Sequence, residues 1–235
     1  MYARQIGDRV LTFGVSGMLF RDALVMYDRD TDTLWTQVNG LGIKGPLAGQ
    51  TLETVPSILA TWKQWKQLYP ESQVLKKRGP PGSAYAAYNR DQNRIGIMGR
   101  RLRDKRLPNK ERIIGVRAGD AATAFAEKDV RQARLVHADV GTLPVVLVSP
   151  TPDHPIVIFD RRAGGRLLSF RLVDGEPTLV EDAQTRSRWS LADGRAVSGP
   201  LEGTRLERAP AYPAFWFGWL GYFPATEVWK AAGTP

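Results

Sequence analysis

The sequence predicts an α+β protein, rich in short and mostly antiparallel strands, that is internally duplicated with pseudo-twofold symmetry. Three observations predict this class. Residues 28–74 match the residues 154 positions further on at 16 of 47 positions, where unrelated sequences match at about three. Short runs of β-branched residues bounded by Gly, Asn and Asp indicate strands. Each copy ends in a Trp-rich segment, which predicts one Trp-bearing helix per copy.

The first copy reads as several strands followed by a helix. The predicted strands are Arg9–Ser16, Leu24–Asp28, Leu34–Val38 and Leu52–Val55. Ser57 is the expected cap of a helix that ends before Pro70, because proline disfavours helical geometry in the residue before it. The buried face of this helix is predicted from residues at helical spacing, which are Ile58, Trp62, Trp65 and Tyr69.

The second copy repeats this plan with a longer front. Its predicted strands are Ile113–Arg117, Ala121–Ala126, Arg134–Val140, Val145–Val148, Ile156–Phe159 and Arg166–Leu172, and a short helix is expected within 127–134. The closing helix, 214–223, is apolar on every side, which is typical of a helix that is buried or lies at an interface. The first copy has no counterpart of residues 113–157, so we expect an open sheet edge that pairs across a homodimer.

The internal repeat and the distribution of charge divide the chain into a first repeat (1–75), a basic linker rich in Pro and Gly (76–112) and a second repeat (113–235). We expect the two halves to pack as one unit. The linker holds twelve basic and three acidic side chains and therefore accounts for all of the net charge of +9. Its arginines Arg100, Arg101, Arg103 and Arg106 are candidates for binding nucleic acid or another anionic surface, because positive potential attracts polyanions.

Composition excludes several kinds of chemistry. The chain has no cysteine, which excludes disulfides, thiolate nucleophiles and thiolate metal sites. No segment is long and apolar enough to span a bilayer, and the first ten residues lack the apolar region of a signal peptide. We therefore expect no transmembrane segment, a cytoplasmic location by default and no cofactor.

Several motifs in both halves resemble one known family. These are FGVSG (13–17), LVMYDR (24–29), LWTQ (34–37), GPLAG (45–49), LPNKER (107–112), FDR (159–161), GPL (199–201) and AFWF (214–217). Across nearly the whole chain they are similar to the bacterial and archaeal family catalogued as domain of unknown function 3179. The resemblance implies no settled activity. It also implies a Tyr-Cys-Pro-Leu-Cys segment upstream, which this chain lacks, so the chain looks like an N-terminally truncated member.

A polar cluster in the first copy is the candidate ligand site. It consists of Ser16, Asp28, Arg29, Trp35 and Gln37. The second copy keeps the Asp and the Trp, as Asp182 and Trp189, which indicates a scaffold role for that pair. Arg29 and Gln37 have no counterpart there and are the residues from which a polar pocket between the repeats is predicted, because ligand sites favour such junctions. An exposed turn arginine and a solvated strand glutamine are the alternative interpretation.

Two further motifs are weaker candidates. Ser16 lies in Gly14-Val15-Ser16-Gly17, which departs from the nucleophile elbow because Met18 stands where the second glycine belongs. His137, Asp139 and His154 are residue types that bind metals, but their spacing matches no metal motif. GPLAG and its twin GPLEG (199–203) lack the Lys-Ser/Thr ending of a phosphate loop, so both are expected to be structural turns.

Three functions remain open at this point. The first is a non-enzymatic binding or structural module, which is favoured by the duplicated scaffold and the lack of an assembled catalytic set. The second is a hydrolytic or metal-assisted enzyme that uses polar residues of both halves. The third is electrostatic binding through the basic linker.

Overall fold

The computed structural model describes residues 1–76, 88, 90–92, 95–96 and 102–231. In chain order their elements are β1 (Gln5–Ile6), β2 (Arg9–Val10), β3 (Phe13–Phe20), β4 (Ala23–Asp28), β5 (Leu34–Thr36), β6 (Gly42–Lys44), α1 (Trp62–Leu68), β7 (Arg112–Ala118), β8 (Ala121–Ala126), α2 (Glu127–Ala133), β9 (Leu135–Val140), β10 (Leu143–Val148), β11 (Val157–Asp160), β12 (Arg162–Ala163), β13 (Arg166–Leu167), β14 (Phe170–Leu172), β15 (Leu179–Asp182), β16 (Arg188–Ser190), β17 (Ala196–Ser198), β18 (Ala211–Phe215), α3 (Trp216–Tyr222) and β19 (Glu227–Val228). The predicted β-rich, mostly antiparallel α+β class is confirmed.

The chain forms two compact units, each assembled from three segments. Unit 1 takes the described residues of Met1–Ser57, Ser83–Gly115 and Tyr212–Thr226, and unit 2 takes those of Ile58–Gly82, Val116–Ala211 and Glu227–Pro235. Helix α1 therefore belongs to unit 2, although it follows the unit 1 sheet in the chain. Helix α3 belongs to unit 1. The predicted division into a first repeat (1–75), a linker (76–112) and a second repeat (113–235) describes segments of the sequence, whereas the two units are defined by contacts in the fold. This division stays a prediction.

Unit 1 is centred on the antiparallel sheet β3-β4-β5-β6, in which β3 is an edge strand. Its small core consists of Leu11, Trp35 and Leu52. Helix α3 packs its Trp219 ring so tightly over Gly115 that a Cβ there would lie 2.4 Å from the indole. The helix is apolar because Trp216, Trp219 and Tyr222 are all buried, as its composition predicts.

Unit 2 contains the antiparallel sheets β14-β15-β16-β17 and β11-β10-β9. One apolar core joins residues of both sheets with Leu68 of α1, and its largest rings are Phe159, Phe170 and Trp189. The short strand β19 pairs with β8 in parallel, whereas the strands within the β14-β15-β16-β17 and β11-β10-β9 sheets pair antiparallel.

Helix α1 differs from its predicted form at its start and in its buried face. It begins after Thr61 because Thr61 and Gln64 form a capping box, in which each side chain bonds the other's backbone N–H. The predicted cap Ser57 and the first turn from Ile58 are not helical. Ile58 and Tyr69 of the predicted face are partly buried against the core, whereas Trp62 is exposed. Gln64 and Leu68 are buried instead, and the Gln64 amide bonds backbone carbonyls at Pro152 and His154.

The sheets β3-β4-β5-β6 and β14-β15-β16-β17, with the segments beside them, repeat the same hydrogen bonds. An isolated antiparallel β-bridge joins Tyr2 to Thr54 in unit 1, and an equivalent β-bridge joins Phe159 to Arg208 in unit 2. The amide of Leu52 donates to the carbonyl of Gly40, and the amide of Leu206, 154 positions later, donates to that of Gly194. Descent of both halves from one duplicated module stays a prediction, and these recurring bonds support it.

Candidate functional site

The predicted scaffold pair, Asp28 at the end of β4 and Trp35 in β5, is fully buried. The Trp35 indole donates to Asp28 Oδ2 at 2.8 Å, and the Thr31 amide donates to Oδ1 at 2.6 Å. Burial raises the pKa of Asp28, but these hydrogen bonds outweigh it and hold the pKa below its usual value. The carboxylate is thus ionised and occupied by its own chain.

The same arrangement recurs in unit 2. Trp189 donates to Asp182 Oδ2 at 2.9 Å, and the Thr185 amide donates to Oδ1 at 2.6 Å. Because the loop between the Asp and the Trp carries identical bonds in both units, these residues stabilise a turn and a core ring in each.

The GPLAG and GPLEG turns pack directly against these loops. Gly45 has a φ of +113° and Gly199 a φ of +93°, and a Cβ on either would lie 2.7 Å from a backbone Cα, that of Thr33 or Ser187. The Thr33 hydroxyl accepts the amide of Leu47 at 3.1 Å. Glycine is required here by backbone conformation and by close approach, which agrees with the expectation of structural turns.

Ser16 lies within a bulge of β3, where the pairing with β4 shifts register between Val15 and Leu19. Its hydroxyl donates to the Val25 carbonyl at 2.6 Å and accepts the Met18 amide at 3.1 Å. Gly17 adopts a φ of +75°, which lets the chain bend away from the sheet. The Ser16 side chain therefore closes the bulge.

Arg29 and Gln37 are exposed, and the structure places them at opposite ends of β4. Arg29 follows the last residue of β4, with its guanidinium 5.3 Å from the Tyr27 ring centroid. The amide of Gln37 bonds the carbonyl of Leu24, near the start of the strand. Five residues of extended chain, about 16 Å, separate Leu24 from Arg29. A pocket that contains both side chains stays a prediction.

The histidines occupy separate places in unit 2. His137 on β9 accepts the Phe170 amide through Nε2 at 2.9 Å. Burial and the positive charge of Arg161 lower the pKa of His137. His154 is buried at the end of the 151–154 turn, where burial likewise lowers its pKa, partly opposed by Asp153. Within the described ranges no three His, Asp or Glu side chains, Asp139 included, converge as metal ligands.

The basic candidates are only partly described. Arg100 and Arg101 lie outside the described residues, and Arg103 is exposed. Arg106 forms an ion pair with Asp104 at 2.9 Å and lies 5.1 Å from the Trp216 ring centroid. It also donates to the Thr226 carbonyl at 2.6 Å. Arg106 therefore holds the α3 region of unit 1 together, and its role in anion binding stays a prediction.

The backbone of the 149–154 loop is held by side chains that the sequence did not single out as candidates. Arg131 on α2 forms an ion pair with Glu127 at 2.9 Å, at the i, i+4 spacing of a helix. It also donates to the His154 carbonyl at 3.0 Å, beside the Gln64 amide from α1. The spacing of Glu127 and Arg131 could have revealed the ion pair, but their loop partners are not visible in the sequence.

A pocket of about 200 Å³ adjoins this loop. Its lining residues are Arg134, Pro150, Thr151, Leu172, Val173, Asp174, Gly175, Glu176, Pro177 and Leu179. The lining therefore combines aliphatic and proline side chains with charged groups of both signs. The sequence signal for this site is modest: a turn-rich segment, 173–177, and a basic residue at the end of a short helix.

Arg134 is fixed at the pocket by its backbone and its side chain. It closes α2 with a φ of +64°, a conformation that non-glycine residues rarely adopt. Its Nε donates to the Pro150 carbonyl at 2.8 Å, and the terminal nitrogens make no hydrogen bond to any described residue. Glu176 is held by Arg188 at 2.7 Å, whereas Asp174 is exposed and forms no ion pair within the described chain.

The fold and this pocket define a β-rich α+β protein with a small, charge-bearing cavity. In the described part of the chain no helix has the length and apolar character needed to cross a bilayer. The family model described as "Protein of unknown function (DUF3179)" matches residues 1–226, so the chain belongs to that family. No curated protein and no solved structure matches the chain.

Proposed function

We propose that this protein is a non-catalytic binding module whose ligand occupies the Arg134 pocket of unit 2. The observation that carries the proposal is the state of Arg134. Its Nε is anchored to Pro150, which fixes the plane of the guanidinium, while its terminal nitrogens have no hydrogen-bond partner among the described residues. A guanidinium held in this way is suited to bind a carboxylate through two parallel hydrogen bonds.

The remaining lining narrows the class of ligand. Leu172, Leu179 and the two prolines offer apolar contact, and the carboxylate of Asp174 offers a partner for a cation. The volume lies below the roughly 300 Å³ at which drug-sized pockets begin, so the ligand is about the size of one amino acid. We therefore favour a small zwitterion with an aliphatic side chain.

The states of the other polar candidates favour binding over catalysis. The Ser16 hydroxyl and His137 Nε2 are both engaged by backbone groups, and the His154 ring is buried. A nucleophile needs a base within hydrogen-bond reach, and the hydrogen bonds of the Ser16 hydroxyl go to backbone groups of its own sheet.

The test uses isothermal titration calorimetry of the full chain with L-leucine, L-leucinamide and 4-methylpentanoate. A ligand of this size binds with a Kd on the order of 0.1–1 mM. We expect leucine to bind, leucinamide to lose binding because it lacks the carboxylate, and 4-methylpentanoate to bind more weakly because it lacks the ammonium.

Two variants with matched controls locate the site. Arg134→Gln and Asp174→Asn should each weaken leucine binding by about tenfold. Arg166→Gln and Asp139→Asn remove exposed charges of unit 2 that do not line the pocket, and these should leave the Kd unchanged. Absence of binding for all three probes at millimolar concentration, or equal loss in the control variants, would refute the proposal.

A further inference from the structure

Arg161, which directly follows β11, carries a partly buried guanidinium with no partner in the described chain. Its Nε is sealed from solvent and has no hydrogen-bond partner. The terminal nitrogens of the guanidinium likewise make no hydrogen bond or ion pair with any described residue. A partly buried charge without a partner is costly to the fold, and a bound anion removes that cost.

The ring of His137 lies beside Arg161. Residues 168–170 connect the two, because the Leu168 amide donates to the Arg161 carbonyl at 2.9 Å and the Phe170 amide donates to His137 Nε2 at 2.9 Å. Two residues of extended chain span only about 7 Å. Burial and the positive charge of Arg161 both lower the pKa of His137. The two side chains therefore share one small region of unit 2.

His137 offers a hydrogen-bond donor to this region. Because Nε2 accepts the Phe170 amide, Nε2 carries no proton, and the neutral ring holds its proton on Nδ1. Nδ1 makes no hydrogen bond to any residue that the structure describes. Arg161 and His137 thus present N–H donors from two side chains, together with one positive charge.

Two acidic side chains lie near Arg161 in the β11-β10-β9 sheet, and neither pairs with it. The Asp160 carboxylate is bonded by Arg162, whose Nη2 donates to Oδ2 at 2.5 Å. Asp139 is exposed and forms no ion pair within the described chain. It pairs with Pro144, whose carbonyl accepts the Arg161 amide at 2.9 Å, so two strand spacings, about 10 Å, separate Asp139 from Arg161. The charge of Arg161 is therefore uncompensated.

Unit 1 has an equivalent arginine in a different environment. The Leu11 amide donates to the Arg4 carbonyl at 2.9 Å, as the Leu168 amide does to the Arg161 carbonyl. Arg4 is exposed, so water solvates its charge. Arg161 is partly buried because β10 and β9 lie beside it. The need for an anion is therefore specific to unit 2, and Arg4 provides a matched control.

We propose that Arg161 and His137 form a binding site for a phosphate-type oxyanion, at a place that shares no residue with the Arg134 pocket. The terminal nitrogens of a guanidinium bind two oxygens of an anion in parallel, and His137 Nδ1 donates to a third oxygen. A carboxylate uses both of its oxygens on the guanidinium, whereas a phosphate has further oxygens for the histidine. A tetrahedral oxyanion therefore satisfies the donors of both side chains at once.

Nuclear magnetic resonance of the histidine rings in the full chain tests the proposal, because the sequence contains only two histidines. At about pH 8 both rings are neutral, and inorganic phosphate is added at constant ionic strength. The His137 Cε1–H resonance should shift and saturate with a Kd on the order of 1–10 mM, whereas the His154 resonance should stay in place. Loss of one resonance in His137→Gln assigns the two signals.

Variants of the two equivalent arginines locate the site. Arg161→Gln should weaken phosphate binding at least about tenfold, because it removes the charge and the paired donors. Arg4→Gln should leave the Kd unchanged. Circular dichroism checks that each variant is folded. If Arg161→Gln is not folded, Arg161→Lys replaces it and should weaken binding at least about threefold, because an ammonium group does not present two parallel donors.

Other anions test the preference for a tetrahedral ligand. Acetate should bind at least about fivefold more weakly than phosphate, because it leaves His137 Nδ1 without an acceptor. Glycerol 3-phosphate separates two sources of the same group: binding as tight as that of inorganic phosphate identifies a phosphate ester as the ligand, whereas its exclusion identifies the free ion, and each result supports the site.

Three results overturn the proposal. The first is a His137 resonance that phosphate does not move or that sodium chloride moves equally at matched ionic strength. The second is unchanged phosphate binding in folded Arg161→Gln or Arg161→Lys. The third is an equal loss of binding in Arg4→Gln. Acetate that binds as tightly as phosphate overturns the preference for a tetrahedral oxyanion.

Discussion

The indole N–H of Trp35 donates a 2.8 Å hydrogen bond to the carboxylate of Asp28, and both side chains are fully buried. A buried ionised carboxylate is costly unless every bond it makes is retained. The hydrogen bond therefore links the core ring of unit 1 to the turn that follows β4. Disruption of this bond should lower the free energy of unfolding.

Trp35→Phe should lower the free energy of unfolding of unit 1 by about 2–3 kcal/mol, because the buried carboxylate of Asp28 loses a donor and the core loses volume. Urea unfolding followed by far-ultraviolet circular dichroism measures this loss. Trp189→Phe should have a similar effect, since Trp189 makes the same bond to Asp182. Trp62→Phe, at an exposed position of α1, should change stability by less than about 0.5 kcal/mol; an equal loss there would contradict the assignment.

Gly45→Ala should destabilise the protein more than Gly49→Ala. Both glycines have a positive φ, but a Cβ on Gly45 would lie 2.7 Å from the Thr33 Cα, whereas a Cβ on Gly49 meets no atom within 4 Å. We expect a loss of about 1 kcal/mol at Gly49 from backbone strain alone and at least about 2 kcal/mol at Gly45. Comparison of the two urea midpoints is the measurement, and equal midpoints would show that the turn relaxes freely.

Stability should fall as the pH decreases from 7 to 5. Burial and the charge of Arg161 lower the pKa of His137 below its ordinary value of 6.5, and burial lowers that of His154. Between the ordinary and the lowered pKa the unfolded chain binds more protons than the folded protein, so the stability present above about pH 6.5 is lost on acidification. Asp28, whose pKa is lowered from 3.8, contributes only at more acidic pH.

His137→Gln tests the origin of this pH dependence. Glutamine offers an acceptor for the Phe170 amide, as His137 Nε2 does, but it does not titrate. The variant should therefore show a shallower loss of stability between pH 7 and pH 5, with the remaining slope due to His154. Parallel pH profiles for variant and wild type would exclude His137 as a source.

Arg131→Met should loosen the 149–154 loop. The substitution removes the ion pair to Glu127 and the hydrogen bond to the His154 carbonyl, and we expect a loss of about 1–2 kcal/mol. Arg162→Met is the control, because its ion pair with Asp160 involves an arginine side chain that is 56 % exposed and such pairs contribute little. Hydrogen exchange at the Ser149 and His154 amides should rise in the first variant alone.

Local patterns in the sequence predicted much of the fold. The strands β4 and β5 begin within a residue of their expected positions, because β-branched runs and turn residues act locally. Helix α1 was mispredicted at its start: helical spacing favoured Ile58 and Trp62, whereas the capping box of Thr61 and the partners of Gln64 decide where the helix begins and which side is buried. Those partners lie about ninety residues away, beyond the reach of a periodic pattern.

The candidate site was harder to predict for the same reason. The Asp28–Trp35 pair recurs in the sequence, and both copies form the same buried hydrogen bond, but recurrence reveals nothing of a pocket present once. Arg134 becomes a candidate only when its left-handed backbone conformation and its hydrogen bond to the Pro150 carbonyl are known. Neither feature can be recognised from the amino-acid sequence.

The assignment of α3 to unit 1 has a consequence for synthesis of the protein. Unit 1 combines Met1–Ser57 with Tyr212–Thr226, and the second of these segments is synthesised long after the first. The nascent sheet of unit 1 must therefore wait, with Gly115 uncovered by Trp219, until the segment that forms α3 has been made. Expression of the first half alone should therefore give an incomplete fold that depends on chaperones.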